Sequence, residues 1–217
     1  MMGGFGSMKV AWREVPEEPS GVDASPPRVL VVTSMYPSAA TPSFGIFVKR
    51  QVEALKQREC GQEVLLIDGR QSRLNYLKAI WRVRRAVRSG RYDLVHAYYG
   101  LCGFVSAWQS SIPLVITYCG SDLNPGFAGR QRARLKSRVI IALGQIAALR
   151  ASVCLVRSRE MRGRLLGRRA RDRARIVTSG VDLDLFQPGD PAEARRRLGW
   201  ERGKKVVLFV CSDEDLS

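Results

Sequence analysis

The chain of 217 residues has one histidine, no pair of cysteines in a C-x-x-C spacing and no long apolar run. Any acid–base chemistry that depends on histidine must therefore use His96. The five cysteines are odd in number and widely spaced, which favours neither a zinc site nor a disulfide framework, so we predict no metal and no cofactor. The longest apolar stretch, 139–149, has only 11 residues and is too short to span a bilayer.

Acidic residues are also scarce: 20 Asp and Glu stand against 36 Lys and Arg, for a net charge of +16. Within 128–175 there are 15 basic and two acidic residues, which indicates an anionic partner such as a membrane surface or a lipid phosphate, with nucleic acid the least favoured. The candidate contacts are Arg130, Arg132, Arg134, Lys136 and Arg138. Codon usage in a GC-rich genome is the alternative, because only 7 of the basic residues are lysine.

The first 27 residues lack the pattern of a secretory signal peptide, in which a basic segment precedes an apolar one. They are rich in Gly, Pro, Ser and Glu, and we predict a disordered tail over 1–27. Together with the cysteine content, this predicts a cytoplasmic protein. Peripheral attachment to the cytoplasmic membrane face is an alternative that follows from the basic surface.

Short β-rich runs alternate with helical patterns from Arg28 onward. The predicted strands are 28–34, 63–68, 93–97, 113–118, 152–156 and 175–178. The predicted helices are 46–59, 74–88, 101–109, 130–150 and 159–166. This alternation implies right-handed crossovers and a doubly wound, mostly parallel, Rossmann-like α/β sheet.

Two segments carry more detailed predictions. The helix at 74–88 is amphipathic. The residues predicted to face the core are Leu74, Leu77, Ile80, Trp81 and Val87. Residues 191–198 are predicted to form a short helix that ends at Gly199, followed by a buried strand at 205–210. We therefore predict three parts: a tail at 1–27, a Rossmann-like domain at 28–188, and a linker helix with the first strand of a second domain at 189–217.

Ligands of open α/β sheets bind beyond the carboxyl ends of the strands. The loop 34–45 falls there, and because it ends in Gly45 and opens a helix, its N–H groups can face a phosphate. A glycine that serves only the turn is the alternative. His96 is a candidate ligand-binding residue near the end of the third strand, and a packed, hydrogen-bonded structural histidine is its alternative.

Two further segments follow the fourth and fifth strands. Gly120 lets the backbone approach a ligand closely. Asp122 is a candidate to orient a ligand hydroxyl, and its alternative is a helix cap or an Asx-turn. Ser158 fits the N-cap of the helix that follows it. We assign a catalytic role to none of these residues.

Five segments, in this order and spacing, resemble family 4 glycosyltransferases. They read GIFVKRQVEAL at 45–55, DLVHAYYG at 93–100, VITYCGSDLN at 115–124, SVCLVRSREM at 152–161 and IVTSGVDLDLFQP at 176–188. The resemblance adds two residues to the candidate acceptor site, which then comprises Gly45, His96, Tyr98, Cys119, Gly120 and Asp122. Tyr98 replaces the second histidine of many relatives. Cys119 replaces a histidine that lies beside the reacting sugar in relatives, and a thiol cannot become a cation.

The resemblance implies the first half of a GT-B architecture, in which two Rossmann-like domains face a cleft. In that family the first domain holds the acceptor, here expected to be a sugar or a lipid-linked acceptor, and the second holds the nucleotide-sugar donor, whose sugar is transferred with retention. Because 29 residues follow Pro188, we expect a truncated enzyme that is inactive unless a C-terminal domain supplies the nucleotide-sugar site. The alternative function is a non-catalytic basic module that binds anionic membrane surfaces or lipid phosphates.

Overall fold

A computed structural model describes residues 25–124, 131–180, 186–201 and 203–208, with the side chains of the 131–150 helix from Leu135 onward. The chain divides into two units, 1–178 and 179–217. The strands of the first unit are β1 Val29–Thr33, β2 Gln62–Leu66, β3 Leu94–Tyr98, β4 Leu114–Thr117, β5 Val153–Val156 and β6 Ala174–Ile176. Its helices are α1 Ile46–Lys56, α2 Leu74–Arg88, α3 Gly100–Ser106, α4 Gln131–Arg150, α5 Arg159–Arg164 and α6 Arg168–Asp172.

Within the described residues the strands form one parallel sheet in the order β2-β1-β3-β4-β5-β6. The order reverses between β1 and β3, as in doubly wound folds. Each strand lies within two residues of its predicted bounds, so the Rossmann-like α/β prediction is confirmed. The short helix α6 was not predicted, because its sequence RRARD carries no apolar periodicity.

The central strand β1 is buried on both faces, as inner strands of a parallel sheet are, whereas the edge strands β2 and β6 are partly exposed. In β1, Leu30 and Val32 belong to the larger core, and Val29 and Val31 belong to a second cluster on the opposite face. Helix α1 contributes Val48 and Val52 to that second cluster. The continuous apolar run of β1 therefore follows from its position between two layers of helices.

Helix α2 presents a different face to the core than the sequence predicted. Its buried residues are Ala79, Val83 and Val87. Leu74, Leu77 and Trp81 were predicted to face inward, and this was wrong: they are 61%, 64% and 66% exposed. Ile80 packs partly against the core. The helix carries two apolar rows at helical spacing, and its periodicity alone did not say which one packs.

Helices α3 and α4 pack with little space between their backbones. A Cβ added to Gly100 would lie 3.1 Å from the Cα of Gly144, so a side chain at either position would push the two backbones apart. The Tyr118 hydroxyl donates a hydrogen bond to the Gly144 carbonyl at 2.7 Å. This packing fixes the start of α3 and the loop after β4 against α4. None of the described helices is long and apolar enough to cross a membrane.

The second unit contains a helix, α7, at Pro191–Arg197. Asp190 caps it by accepting a hydrogen bond from the Ala192 N–H at 3.0 Å, and Gly199 follows it with φ 67°. The helix predicted at 191–198 is thus confirmed. The strand predicted at 205–210 is not formed over 205–208, where Val207 is 95% exposed, because no neighbouring strand pairs with it among the described residues of this unit. Residues 209–210 lie outside the described residues.

Candidate functional site

The loops that follow β1, β3, β4 and β5 meet at the carboxyl edge of the sheet, because all the strands run in the same direction. Of the candidates from the sequence, Gly45, Cys119, Gly120 and Asp122 lie in these loops, and Tyr98 is the last residue of β3. His96 lies in the middle of β3, paired with β1 on one side and β4 on the other. The candidate site is therefore made of loops, with His96 behind them in the sheet.

Gly45 stands at the N-cap of α1, in the left-handed region at φ 71°. A Cβ there would lie 2.4 Å from the backbone carbon of Met35, a distance that no side chain tolerates. The loop after β1 therefore closes directly against the first turn of α1. Within that turn the N–H groups of Ile46 and Val48 already donate to the carbonyls of Ser43 and Gly45.

Asp122 organises the loop after β4. Its carboxylate accepts hydrogen bonds from three backbone N–H groups: Gly100 at 2.8 Å, Gly120 at 2.8 Å and Cys119 at 3.0 Å. The side chain is fully buried, and burial raises its pKa, while the backbone N–H groups act in the opposite direction. Asp122 thus joins the loop after β4 to the start of α3. Each of its two carboxylate oxygens accepts a hydrogen bond from a backbone N–H of this chain.

Tyr99 is a site feature that the sequence did not reveal. It lies between β3 and α3 at φ 81°, a region that bulky residues rarely adopt. Its N–H donates to the Thr117 carbonyl at 2.9 Å. A non-glycine residue gives no sequence signal for a positive φ, so this strained turn required the structure. This turn sets the position of the N-terminus of α3 at the edge of the site.

His96 and Tyr98 form a packed pair on the α1 side of the sheet. Their ring centroids are 4.4 Å apart and nearly parallel, and Nε2 of His96 is hydrogen-bonded with the Thr117 hydroxyl at 2.8 Å. Burial lowers the pKa of His96 to about 4 and raises the pKa of Tyr98, so both side chains are neutral at pH 7. This geometry is that of a structural histidine inside the sheet.

Cys119 faces the site from the loop after β4. Burial and the neighbouring Asp122 raise the pKa of its thiol to about 12. The thiol therefore stays protonated at neutral pH and is a weak nucleophile. Its Sγ lies 3.9 Å from the carbonyl of Thr117, a distance that allows only a weak hydrogen bond.

Arg157, directly after β5, brings a positive charge to this edge. Its guanidinium carbon lies 5.3 Å from the ring centroid of Phe47 in α1, and its charge acts on the Cys119 thiol. Sequence analysis missed it, although a basic residue that directly follows a strand was a usable signal. The next residue, Ser158, caps α5 by accepting the Met161 N–H at 3.1 Å, which confirms the cap prediction.

Asn124 ends the described part of the loop after β4. Its side-chain oxygen is buried and has no hydrogen-bond partner among the described residues. Arg157 gives this edge a charge that can bind an anionic group. The pKa values of His96, Tyr98 and Cys119 are shifted away from neutrality by burial, so these three side chains are neutral at pH 7.

The basic candidates of the 130–138 segment lie partly outside the described side chains. Arg130, Arg132 and Arg134 fall in that part. Lys136 and Arg138 are exposed on α4. In the part of the chain that the structure describes, no group of three His, Cys, Asp or Glu residues could hold a metal ion.

Comparison with known families agrees with this fold. The sequence profile of the family described as "Glycosyl transferase 4-like domain" matches residues 28–182, which include all six strands and the four loops of the site. The chain therefore belongs to the glycosyltransferase 4-like family.

Curated relatives carry the name D-inositol 3-phosphate glycosyltransferase. The chain is 32% identical to the one from Frankia alni over 139 residues, which are 60% of this chain and 33% of that protein. It is 34% identical to those from Geodermatophilus obscurus and Acidothermus cellulolyticus over 143 and 144 residues, in each case 62% of this chain and 31% of the relative. The chain thus spans about a third of the length of these relatives.

Proposed function

We propose that residues 28–182 are the acceptor-binding part of a glycosyltransferase of GT-B architecture. The observation that carries this proposal is the carboxyl-edge site. There the Asp122 carboxylate holds the N–H groups of Gly100, Cys119 and Gly120 and so fixes the loops, and Arg157 brings a positive charge. Such a site can position a hydroxylated, anionic acceptor. Gly45, Cys119 and Gly120 are the proposed contacts, with Asp122, His96 and Tyr98 holding the loops and strands behind them.

The proposed acceptor is a phosphorylated polyol. The relatives' name specifies D-inositol 3-phosphate for those proteins. Here, Arg157 supplies a guanidinium for a phosphate.

The donor is a nucleotide-sugar, whose sugar is transferred with retention at the anomeric carbon. Stabilising the leaving diphosphate is a large part of catalysis in such transfers, and it requires cations and N–H groups arranged around that diphosphate. We assign this role to a second domain, to which the two thirds of the relatives that this chain does not match would correspond. The 217-residue polypeptide by itself is therefore expected to bind acceptor without transferring sugar.

Calorimetric titration of the full chain tests this assignment. We expect D-inositol 3-phosphate to bind saturably, and UDP- and GDP-sugars to give no saturable heat at the same concentrations. A product assay with the same donors and acceptor should stay at the level of a protein-free blank. Tight nucleotide-sugar binding, or sustained turnover, would show that this chain holds the donor site itself.

An anionic membrane surface is a second candidate partner, and one observation favours it. Helix α2 exposes three apolar side chains on its outer face, and basic residues of the same helix lie among them. The three are Leu74, Leu77 and Trp81. Exposed apolar side chains beside Lys and Arg are typical of helices that lie on anionic bilayers. Residence in the cytoplasm, with peripheral attachment to its membrane, is part of this second proposal.

Vesicle flotation tests the second candidate. We expect the chain to float with anionic vesicles, to remain below with neutral ones, and to lose the interaction at high salt. Trp81→Gln should weaken flotation, whereas Trp108→Gln, which also alters an exposed tryptophan, should not. Equal recovery with both lipids would leave the basic composition without a membrane role.

A further inference from the structure

A second concave site, the amino-edge pocket, lies at the end of the sheet where β4, β5 and β6 begin. Its volume is about 890 Å³, which is in the range of sites for small molecules. Its walls come from the segments that precede three neighbouring strands: the loop 107–113 before β4, the end of α4 with Ser152 before β5, and α6 before β6. Because the strands are parallel, these segments meet at the edge opposite to the candidate acceptor site.

Three arginines belong to the lining of the amino-edge pocket. Arg150 is the last residue of α4, Arg169 lies in α6, and Arg173 directly follows α6. None of the residues that line the pocket is acidic, and within the described parts of the chain none of these three arginines forms an ion pair. The acid of α6, Asp172, pairs with Arg168 at 3.7 Å instead. The pocket therefore gathers positive charge without a counter-charge from the residues around it.

Two of the guanidinium groups are held in place by the backbone. Nη1 of Arg150 donates to the Ala107 carbonyl at 3.2 Å, and Nη1 of Arg173 donates to the Ala151 carbonyl at 3.0 Å. A guanidinium has five N–H donors, so each of the two keeps donors for a ligand after this contact. Because a guanidinium that is already held loses less conformational entropy on binding, both are prepared for an anion.

The loop before β4 is fixed by one buried side chain. Gln109 donates from Nε2 to the Ile112 carbonyl at 2.9 Å, and its Oε1 accepts the Ser111 N–H at 3.0 Å. The exposed residues Ser110 and Ser111 of this loop belong to the lining. Their hydroxyls can donate hydrogen bonds to an anion. The loop thus supplies neutral donors beside the arginines.

The charge of the pocket indicates how much charge its ligand carries. Like charges that are gathered without a counter-charge destabilise the folded chain. An anion removes this repulsion and also accepts charge-assisted hydrogen bonds from the guanidinium groups. One phosphate brings about −1.5 to −2 at pH 7, so two phosphates bring about three to four negative charges. A molecule with two phosphates therefore matches three arginines better than a single phosphate does.

We propose that the amino-edge pocket binds a small molecule with two phosphate groups through Arg150, Arg169 and Arg173. Inorganic diphosphate and organic bisphosphates share this chemistry. The site goes beyond the proposed function, because it lies at the opposite edge of the sheet from the acceptor site and contains none of the acceptor-site residues.

Calorimetric titration of the full chain at one ionic strength tests the proposal. The probes are inorganic phosphate, inorganic diphosphate, glucose 1,6-bisphosphate and UDP-glucose. We expect diphosphate, the bisphosphate or both to bind saturably and about tenfold more tightly than inorganic phosphate, as expected for one further charge-assisted contact. The tighter of the two identifies an inorganic or an organic ligand. UDP-glucose should bind no more tightly than inorganic phosphate, because its phosphates are diesters and carry less charge.

Matched substitutions in α6 separate the pocket from the general positive charge of the chain. Arg169→Gln should weaken binding of the tighter probe about tenfold. Arg171→Gln removes an exposed arginine of the same helix that does not line the pocket, and it should leave binding unchanged. Arg157→Gln, at the carboxyl edge, should also leave it unchanged.

Thermal melting distinguishes a binding arginine from a structural one. Without ligand, Arg169→Gln should melt no lower than the natural chain, because the substitution removes a repulsive charge. With the tighter probe, the melting temperature of the natural chain should rise more than that of Arg169→Gln. A structural arginine would instead lower the melting temperature without ligand when it is replaced.

Three outcomes would overturn the proposal. One is an equal affinity for one phosphate and for two. Another is an equal loss in Arg169→Gln and Arg171→Gln, which would show a general effect of surface charge. The last is a loss in Arg157→Gln alone, which would place the anion at the carboxyl edge. The acceptor proposal is unaffected by the first two and by success here, because binding of D-inositol 3-phosphate should not change in Arg169→Gln.

Discussion

Because the chain has a single histidine, its titration can be followed without interference from other imidazoles. Burial lowers the pKa of His96 to about 4, whereas an unfolded chain leaves histidine at about 6.5. The folded state therefore binds fewer protons than the unfolded state between these values. A histidine whose pKa is lowered by folding contributes its full share to the free energy of unfolding above the pKa of the unfolded chain. That contribution is lost as the pH falls below this pKa, so acidification should destabilise the protein. The pH window for this loss is about 6.5 to 4.

The magnitude follows from the two pKa values. Each pH unit inside the window is worth about 1.4 kcal/mol, and integration from pH 7.5 to 5 gives a loss of about 2 kcal/mol in the free energy of unfolding. Carboxyl groups also titrate toward the acid end, so the comparison needs a variant without the imidazole. His96→Gln retains a group that can hydrogen-bond the Thr117 hydroxyl and cannot titrate.

Two measurements examine this prediction. Urea unfolding at pH 7.5, 6 and 5 should show a loss for the natural chain that exceeds the loss for His96→Gln by about 2 kcal/mol at pH 5. NMR of the one imidazole Cε1–H resonance should give a folded-state titration midpoint well below 5. A midpoint near 6.5, or the same pH dependence in both proteins, would refute the reasoning that His96 is held neutral inside the sheet.

Three further substitutions probe the loops, each by thermal and urea unfolding. Gly45→Ala should cost more stability than Gly90→Ala, because both glycines have a positive φ but only a Cβ at Gly45 meets backbone; equal costs would exclude the clash. Gly100→Ala should destabilise by about 1–3 kcal/mol by separating two helices, whereas Gly163→Ala, with open space around it, should be neutral or stabilising. Asp122→Asn should cost about 2–3 kcal/mol, because the amide cannot accept all three backbone hydrogen bonds; an unchanged melting temperature would contradict the role of the carboxylate.

The layout of the fold could be predicted from the sequence because it depends on local patterns. The run RVLVVTS at 28–34 has the β-branched composition of a strand buried on both faces, and β1 has that burial. The alternation of such runs with helices then leaves few topologies. The packed face of α2 could not be predicted in this way. Leu77 and Trp81 are larger and more apolar than Ala79, yet the space beside the sheet admits the small residue.

The candidate site was harder to predict than the fold, because its key contacts join distant residues. Gly120 and Asp122 were candidates for the site because of the loop in which they lie. That the Asp122 carboxylate binds the N–H of Gly100, 22 residues earlier, required the structure. The positive φ of Tyr99 could not be predicted from the sequence, because bulky residues rarely adopt it. The position of Arg157 directly after a strand could be seen in the sequence. Nothing in the sequence distinguished it from the many other arginines of the chain.

The central claim is that the carboxyl-edge loops bind an anionic polyol acceptor, and calorimetry with D-inositol 3-phosphate tests it most directly. Arg157→Gln removes the cation at the site, and Arg159→Gln removes an exposed arginine two residues away as a matched control. We predict saturable binding to the natural chain, about tenfold weaker binding to Arg157→Gln, as expected for one charge-assisted contact, and unchanged binding to Arg159→Gln. No saturable binding, or equal losses in the two variants, would contradict the account.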